Sequence, residues 1–181
     1  MVTRFIKIFS IIMIATILIL VIIGILAPRN TYFTRTQIIK GPISVVWRNL
    51  TDVENYPTWQ LAVKNVVLKD GSKLRKGSVL QFYMADYDPG IYHETEVTKF
   101  EDGKLLTYAR TGTHVNPLLK EYQVSYSLKR LLDGTTEISA TISYHTYGFF
   151  TKIYNQLFLH SKLGSQAESN LGRLKSSIEK M

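Results

Sequence analysis

The side chains able to do chemistry are few and scattered. Four histidines, His93, His114, His145 and His160, lie far apart, none has a histidine partner four residues away, and the chain has no cysteine. Metal-ligand spacing is therefore absent, and no metal is expected. His145 falls on the polar phase of its strand and reads as solvated, whereas His93 shares a phase with Ile91, Thr95 and Val97 and points inward. There it serves either as a hydrogen-bonded interior imidazole or as a ligand contact. Asp86 and Asp88 flank Tyr87 just before Pro89-Gly90, two carboxylates that could make a general acid/base pair. The turn reading accounts for them better, because Asp before Pro-Gly bonds its own backbone. No Gly-x-Ser-x-Gly elbow, phosphate-cradling glycine loop or nucleotide fingerprint occurs, so neither a catalytic residue nor a cofactor is assigned.

Tyrosine is plentiful, at 11 residues. Tyr108, Tyr122, Tyr126 and Tyr144, with Phe82, fall on apolar strand phases; their rings supply apolar wall while each hydroxyl needs a partner. That is the composition of a pocket for a mostly hydrophobic ligand carrying one or two polar groups. It is equally the composition of a packed core, because strand phase alone does not separate cavity wall from core. The ligand-binding candidates are Phe82, His93, Tyr108, Tyr126 and Tyr144. A polar pair such as His93 with Arg110 converging in one cavity would mark an enzyme instead.

The elements that must position these residues follow from periodicity and turn chemistry. Tyr32 to Ile39 reads as a strand, and Gly41-Pro42 opens a short helix on which Val45, Val46, Asn49 and Leu50 repeat. Thr51-Asp52-Val53-Glu54 has the form of a capping box, placing a second short helix there with Thr51 as the cap. From Ala62 to Tyr147, Asp70-Gly71, Asp88-Pro89-Gly90, Asp102-Gly103 and Asp133-Gly134 punctuate β-rich runs. Strands are expected near 62–69, 77–84, 91–100, 104–111, 119–130 and 135–147, an antiparallel meander. In the last two, Tyr122, Val124, Tyr126 and Leu128, then Ile138, Ala140, Ile142 and Tyr144, alternate with polar residues, giving one apolar face. From Phe149 to Lys180, Ile153, Leu157, Gly164, Leu171, Leu174 and Ile178 mark a long amphipathic helix that needs such a face to cover.

Ahead of all this, Ile8 to Ala27 carries no charge, and only Ser10 and Thr16 break an almost wholly aliphatic run. Its helical length matches a bilayer's hydrocarbon thickness of about 30 Å. A cleaved secretory signal is the main alternative, but its apolar core is usually only about 7 to 15 residues. Cleavage after Ala27 would also put Ile25 where a small residue is wanted and Pro28 directly after the cut. A buried core helix would show a polar stripe. The expected organisation is a basic tail at 1–7, a membrane helix at 8–27, a linker at 28–31 and one domain at 32–181. Twenty Lys and Arg after the anchor face 14 acidic residues, so the domain carries +6 of the formal +8. No basic run or arginine-rich arm focuses that charge, which argues against nucleic acid and suits an anionic lipid surface. Arg4 and Lys7 precede the span and Arg29, Arg35 and Lys40 follow it, a nearly balanced bias. The short basic head leading straight into the span favours an inside N-terminus and a domain outside the cytoplasm.

The order of strand, two short helices, meander and long terminal helix, with Pro42, Val46, Trp47, Leu50, Asp52, Tyr56, Pro57 and Trp59 at these spacings and Leu171-Gly172-Arg173-Leu174-Lys175 near the end, resembles the START-like superfamily. More narrowly it resembles the polyketide cyclase/dehydrase and lipid-transport group. The resemblance covers roughly residues 32 to 180. It implies an α+β helix-grip fold: a curved antiparallel sheet of about seven strands around the C-terminal helix, with a hydrophobic cavity between them. Members bind lipids, sterols, quinones, hormones or polyketides there, a minority catalyse cyclisation, dehydration or hydrolysis, and no universal catalytic motif carries over. The expectation is a membrane-tethered, non-enzymatic binder of a lipid or isoprenoid, with Gly112 to Pro117 and Phe149-Phe150 on the rim of the cavity. A cyclase-, dehydratase- or hydrolase-type enzyme using the same cavity, and a partner-docking module of quinone-binding type with a filled core, are the alternatives.

Overall fold

The computed structural model describes residues 2–71, 73–85, 91–111 and 119–180. Asp86, Asp88, His114 and the rim segment from Gly112 to Pro117 lie outside the described residues. Helix α1 (Val2–Leu26) begins inside the segment read as a basic tail, because Arg4 and Lys7 are good helix formers and continue the apolar helix. The part from Arg4 to Leu26 is long and apolar enough to cross a membrane, and its aliphatic side chains point away from the protein. Strand β1 (Asn30–Ile39) starts within the expected linker, so only Ala27, Pro28 and Arg29 separate helix from sheet.

Helix α2 (Ile43–Thr51) buries Val46, Trp47, Asn49 and Leu50, with Pro42 as its N-cap. The expected capping box takes a different form. Thr51 still belongs to α2, and its Oγ1 donates to the Trp47 carbonyl at 2.9 Å. The first unpaired amides therefore fall one residue later, and Asp52 caps the next turn, accepting from Glu54 N at 3.2 Å and Asn55 Nδ2 at 2.8 Å. The 3₁₀ turn Val53–Asn55 leads into α3 (Tyr56–Trp59), whose Tyr56 and Trp59 are fully buried.

Six further strands follow: β2 (Val63–Leu68), β3 (Val79–Met84), β4 (Tyr92–Glu101), β5 (Leu105–Thr111), β6 (Lys120–Arg130) and β7 (Thr136–His145). Each pairs antiparallel with the next, and β7 closes on β1, giving the order β1-β7-β6-β5-β4-β3-β2. The alternation read in β7 is present: Thr136, Ile138, Ala140, Ile142 and Tyr144 are buried and the residues between them are half-exposed. On the opposite face, hydroxyl pairs such as Thr34 with Thr141 and Thr36 with Ser139, both at 2.9 Å, tie β1 to β7. At the β6–β7 turn Gly134 takes φ +82°, and Asp133 Oδ1 accepts from Thr135 N at 3.0 Å, the local bond expected of Asp-Gly.

The terminal helix is broken in phase. It runs as α4 (Phe149–Tyr154), a π-turn over Asn155–Leu159 and α5 (His160–Glu179). The π-turn moves Asn155 and Leu159 inward, while Leu157, read as part of the buried stripe, is 45% exposed. A straight 3.6-residue phase misplaces that residue because the wider turn rotates everything ahead of it.

The strands give the domain two distinct ends. Thr146 N donates to Arg29 O at 2.9 Å, so the finish of β7 sits at the foot of α1. Thr136, about 30 Å away at strand rise, donates its hydroxyl to Gly41 O at 2.8 Å at the opposite end. The terminal helix spans both: Lys152 Nζ donates to Ile25 O at 3.2 Å at the α1 end, and Glu179 Oε1 accepts from Lys40 N at 2.7 Å at the far end.

Candidate functional site

Between the sheet's apolar face and α5 lies a cavity of about 690 Å³, within the range of small-molecule sites. Its floor is aromatic. Tyr56 stacks on Phe82 with ring centroids 5.8 Å apart and meets Trp59 edge-on at 5.3 Å, while Tyr108 meets Tyr126 edge-on at 6.2 Å. The Tyr56 hydroxyl donates to Leu50 O at 2.9 Å and is also hydrogen-bonded to the Tyr108 hydroxyl. Burial pushes the Tyr56, Tyr108 and Tyr126 phenols well above their ordinary value, so the floor is neutral at physiological pH.

The wall toward the α1 end is polar. Antiparallel pairing sets Thr95 opposite Arg110 and His93 opposite Phe82, so these side chains share the inner face of β3, β4 and β5. All four line the cavity. The Arg110 guanidinium lies 4.8 Å from the Tyr122 ring centroid. Burial raises the Tyr122 phenol, with the positive charge of Arg110 opposing the rise. The Thr95 hydroxyl is buried with no hydrogen-bond partner among the described residues, which leaves it to a ligand or water. Helix α5 closes the roof with Leu163, Gln166, Ala167 and Asn170, and Asn170 Oδ1 accepts from Leu61 N at 2.7 Å. Ala62, also on the lining, is held at φ +63°, a left-handed conformation costly for a residue with a Cβ.

Of the five candidates from sequence, Phe82, His93, Tyr108 and Tyr126 line this one cavity. Tyr108 and Tyr126 are only 5% and 6% exposed, at once packed core and cavity wall. Tyr144 is not on that lining but behind it, its ring stacked on the lining Tyr122 with centroids 6.4 Å apart. It lies in a second cluster with Phe33 and Leu159, and its hydroxyl donates to Asn155 Oδ1 at 2.6 Å. Strand phase gave its face correctly but not its position along the strand, where the π-turn meets it. The helix residues Gln166 and Asn170 were missed. Their signal was polarity on the buried side of an amphipathic stripe, in the half where the large apolar residues stop. His145, read as solvated, is half-exposed and pairs through Nδ1 with Glu121 Oε2 at 3.0 Å. No group of three or more His, Asp or Glu able to hold a metal occurs among the described residues.

A seven-stranded antiparallel sheet gripping a C-terminal helix over a cavity defines the helix-grip class. Residues 31–179 match the family described as polyketide cyclase / dehydrase and lipid transport, and the chain belongs to that family, within the START-like superfamily. Among solved structures it is similar to the Zhui aromatase/cyclase from Streptomyces sp. R1128, at 14% identity and TM-score 0.65, covering 83% of this chain and 94% of that one. It is also similar to Ara h 8.0201, at 13% identity and TM-score 0.62, covering 84% of this chain and 99% of that one. A search of curated proteins finds no match.

Proposed function

We propose that this protein binds a hydrophobic small molecule, a lipid or isoprenoid, in the cavity beneath α5 while α1 tethers it to the membrane that supplies the ligand. The observation that carries this reading is the 690 Å³ cavity with an aromatic floor and a polar wall. A largely apolar ligand would lie on Phe82, Tyr108 and Tyr126 and turn its polar group toward Thr95, His93 and Arg110. Tethering raises the effective concentration of a membrane-dissolved ligand at the cavity. The short basic head leading straight into the span favours a domain outside the cytoplasm, and protease accessibility on intact cells tests that side. Partner docking through a filled core fits the open cavity less well.

Native mass spectrometry and lipid extraction of the full chain, purified in mild detergent, test binding. The expected result is a co-purifying hydrophobic molecule displaced by Ala167→Phe, which fills the cavity from the helix side. A chain that is always empty, and that takes up no lipid or isoprenoid when offered them, overturns the proposal.

A cyclase or dehydratase reading is favoured by one feature: His93 and Arg110 share one cavity wall. The imidazole could move a proton while the guanidinium stabilises an enolate oxygen. Conversion of a bound poly-ketone chain, lost in His93→Gln with binding retained, would establish it.

A further inference from the structure

The inference concerns the first half of the terminal helix, and it rests on the tether reading above. Gly24 is buried in the last turns of α1, and a Cβ there would run into the Phe149 ring. Small residues allow such close approach of a membrane helix to a neighbour. At 1.5 Å rise per residue, Gly24 lies only about 3 Å along the axis from Leu26, where the helix ends. Phe149 is therefore level with the apolar end of the span. Lys152, one turn on, reaches the Ile25 carbonyl at 3.2 Å, placing an ammonium at the same level.

From this contact a stripe of large apolar side chains continues outward along α4 and the π-turn. Phe150 is 82% exposed, and Tyr154, Leu157 and Phe158 are exposed beside it, with the Tyr154 and Phe158 rings 5.8 Å apart. Among the described residues these side chains are exposed, and α4, which carries Phe150 and Tyr154, packs on α1, whose own surface is apolar and outward-facing. Lys152 lies on α4 itself and Arg29 follows the end of α1, two cations at the level where anionic headgroups would lie. Tyr154 also lines the cavity, next to Leu159 and Leu163.

We infer that the face formed by Phe150, Tyr154, Leu157 and Phe158 is embedded in the interfacial layer of the leaflet next to the end of α1, making Tyr154 the threshold between leaflet and cavity. Aromatic rings are suited to that layer, and an apolar helical face with flanking cations lies in it rather than across it. The occupant of this face is lipid.

The absence of cysteine makes the test direct. Single-cysteine variants of the full chain, Phe150→Cys, Phe158→Cys, Leu132→Cys and Ile14→Cys, are labelled with an environment-sensitive fluorophore. They are placed in nanodiscs of mixed phosphatidylcholine and phosphatidylglycerol carrying an acyl-chain quencher. Leu132 is a fully exposed apolar control in the β6–β7 turn at the far end, and Ile14 reports the span. The expected result is quenching at positions 150 and 158 several-fold stronger than at 132, with 14 quenched most. Labels at 150 and 158 that match 132 while 14 is quenched overturn the embedded face and leave the tether standing. The same holds if they are shielded from both lipid and aqueous quenchers, which assigns the face to a second copy of this chain. An unquenched label at 14 overturns both readings.

Discussion

At the far end of the domain the sheet and helix close on each other, with Leu106, Leu128 and Ile138 meeting Leu50, Leu171 and Leu174 in a continuous core. At the α1 end the same strands present Arg110, Tyr122, Val124 and Ile142 to a cavity, and the same helix presents Leu163, Gln166, Ala167 and Asn170. Along β6 and β7 the inner face stays apolar, while β4 and β5 turn polar at His93, Thr95 and Arg110. The helix changes most, passing from Leu and Ile to Gln, Asn and Ala over two turns. The void is thus set by the helix, and the aromatic floor of Tyr56, Phe82, Tyr108 and Tyr126 is the boundary between a half built for stability and a half left open for a guest.

Alkaline pH acts most strongly on that boundary. The folded chain holds the Tyr56, Tyr108 and Tyr126 protons more tightly than the unfolded chain, where phenols ionise near 10.0. Their stabilisation is complete below pH 10 and is lost as pH rises toward the folded-state values. Urea midpoints of the full chain in detergent should be level up to about pH 9.5 and fall steeply above about 10.5, around the reference phenol value. A level midpoint through that range breaks the picture of a sealed floor.

Substitution in the packed half comes next. Leu171→Ala leaves a hole among residues that are themselves fully buried and should cost about 2–5 kcal/mol in urea unfolding. Tyr108→Phe removes one hydrogen bond, leaves Tyr56 bonded to Leu50, and should cost about 0.5–1.5 kcal/mol in the same assay. The smallest effect belongs to the open half. Leu163→Ala shortens a side chain that already borders empty space, so it should cost less than about 1 kcal/mol in urea unfolding, below the usual Leu→Ala range. Equal costs at 163 and 171 would erase the distinction between the halves.

Much of the fold was legible in the sequence because the signals were local. Asp133-Gly134 and Asp102-Gly103 supply turn geometry by themselves, and the two-residue period of β7 fixes which face is buried. That α1 is a helix long and apolar enough to cross a membrane was legible from composition alone. What the sequence hid depended on partners distant in the chain. Thr51 and Asp52 are both good caps, and only the length of α2 decides between them. Tyr144 and Tyr126 have the same phase, yet one meets Asn155 and the other a void. Leu157 sits outside the buried stripe because of a turn no periodicity announces.

That turn has a consequence of its own. Asn155, at its start, accepts from the Tyr144 hydroxyl at 2.6 Å and donates to Thr31 Oγ1 at 3.1 Å, so both functions of its amide are clasped by β7 and β1. The clasp holds one surplus residue in the helix. Winding the same residues as an unbroken α-helix, with none removed, would turn everything before it by nearly one residue's step of about 100°. Phe149 would swing off Gly24, and Phe150 and Tyr154 would exchange their present outlook for another side of the helix. One residue of chain length therefore works as a gear tooth, fixing the angle at which the body of the protein is mounted on its stalk.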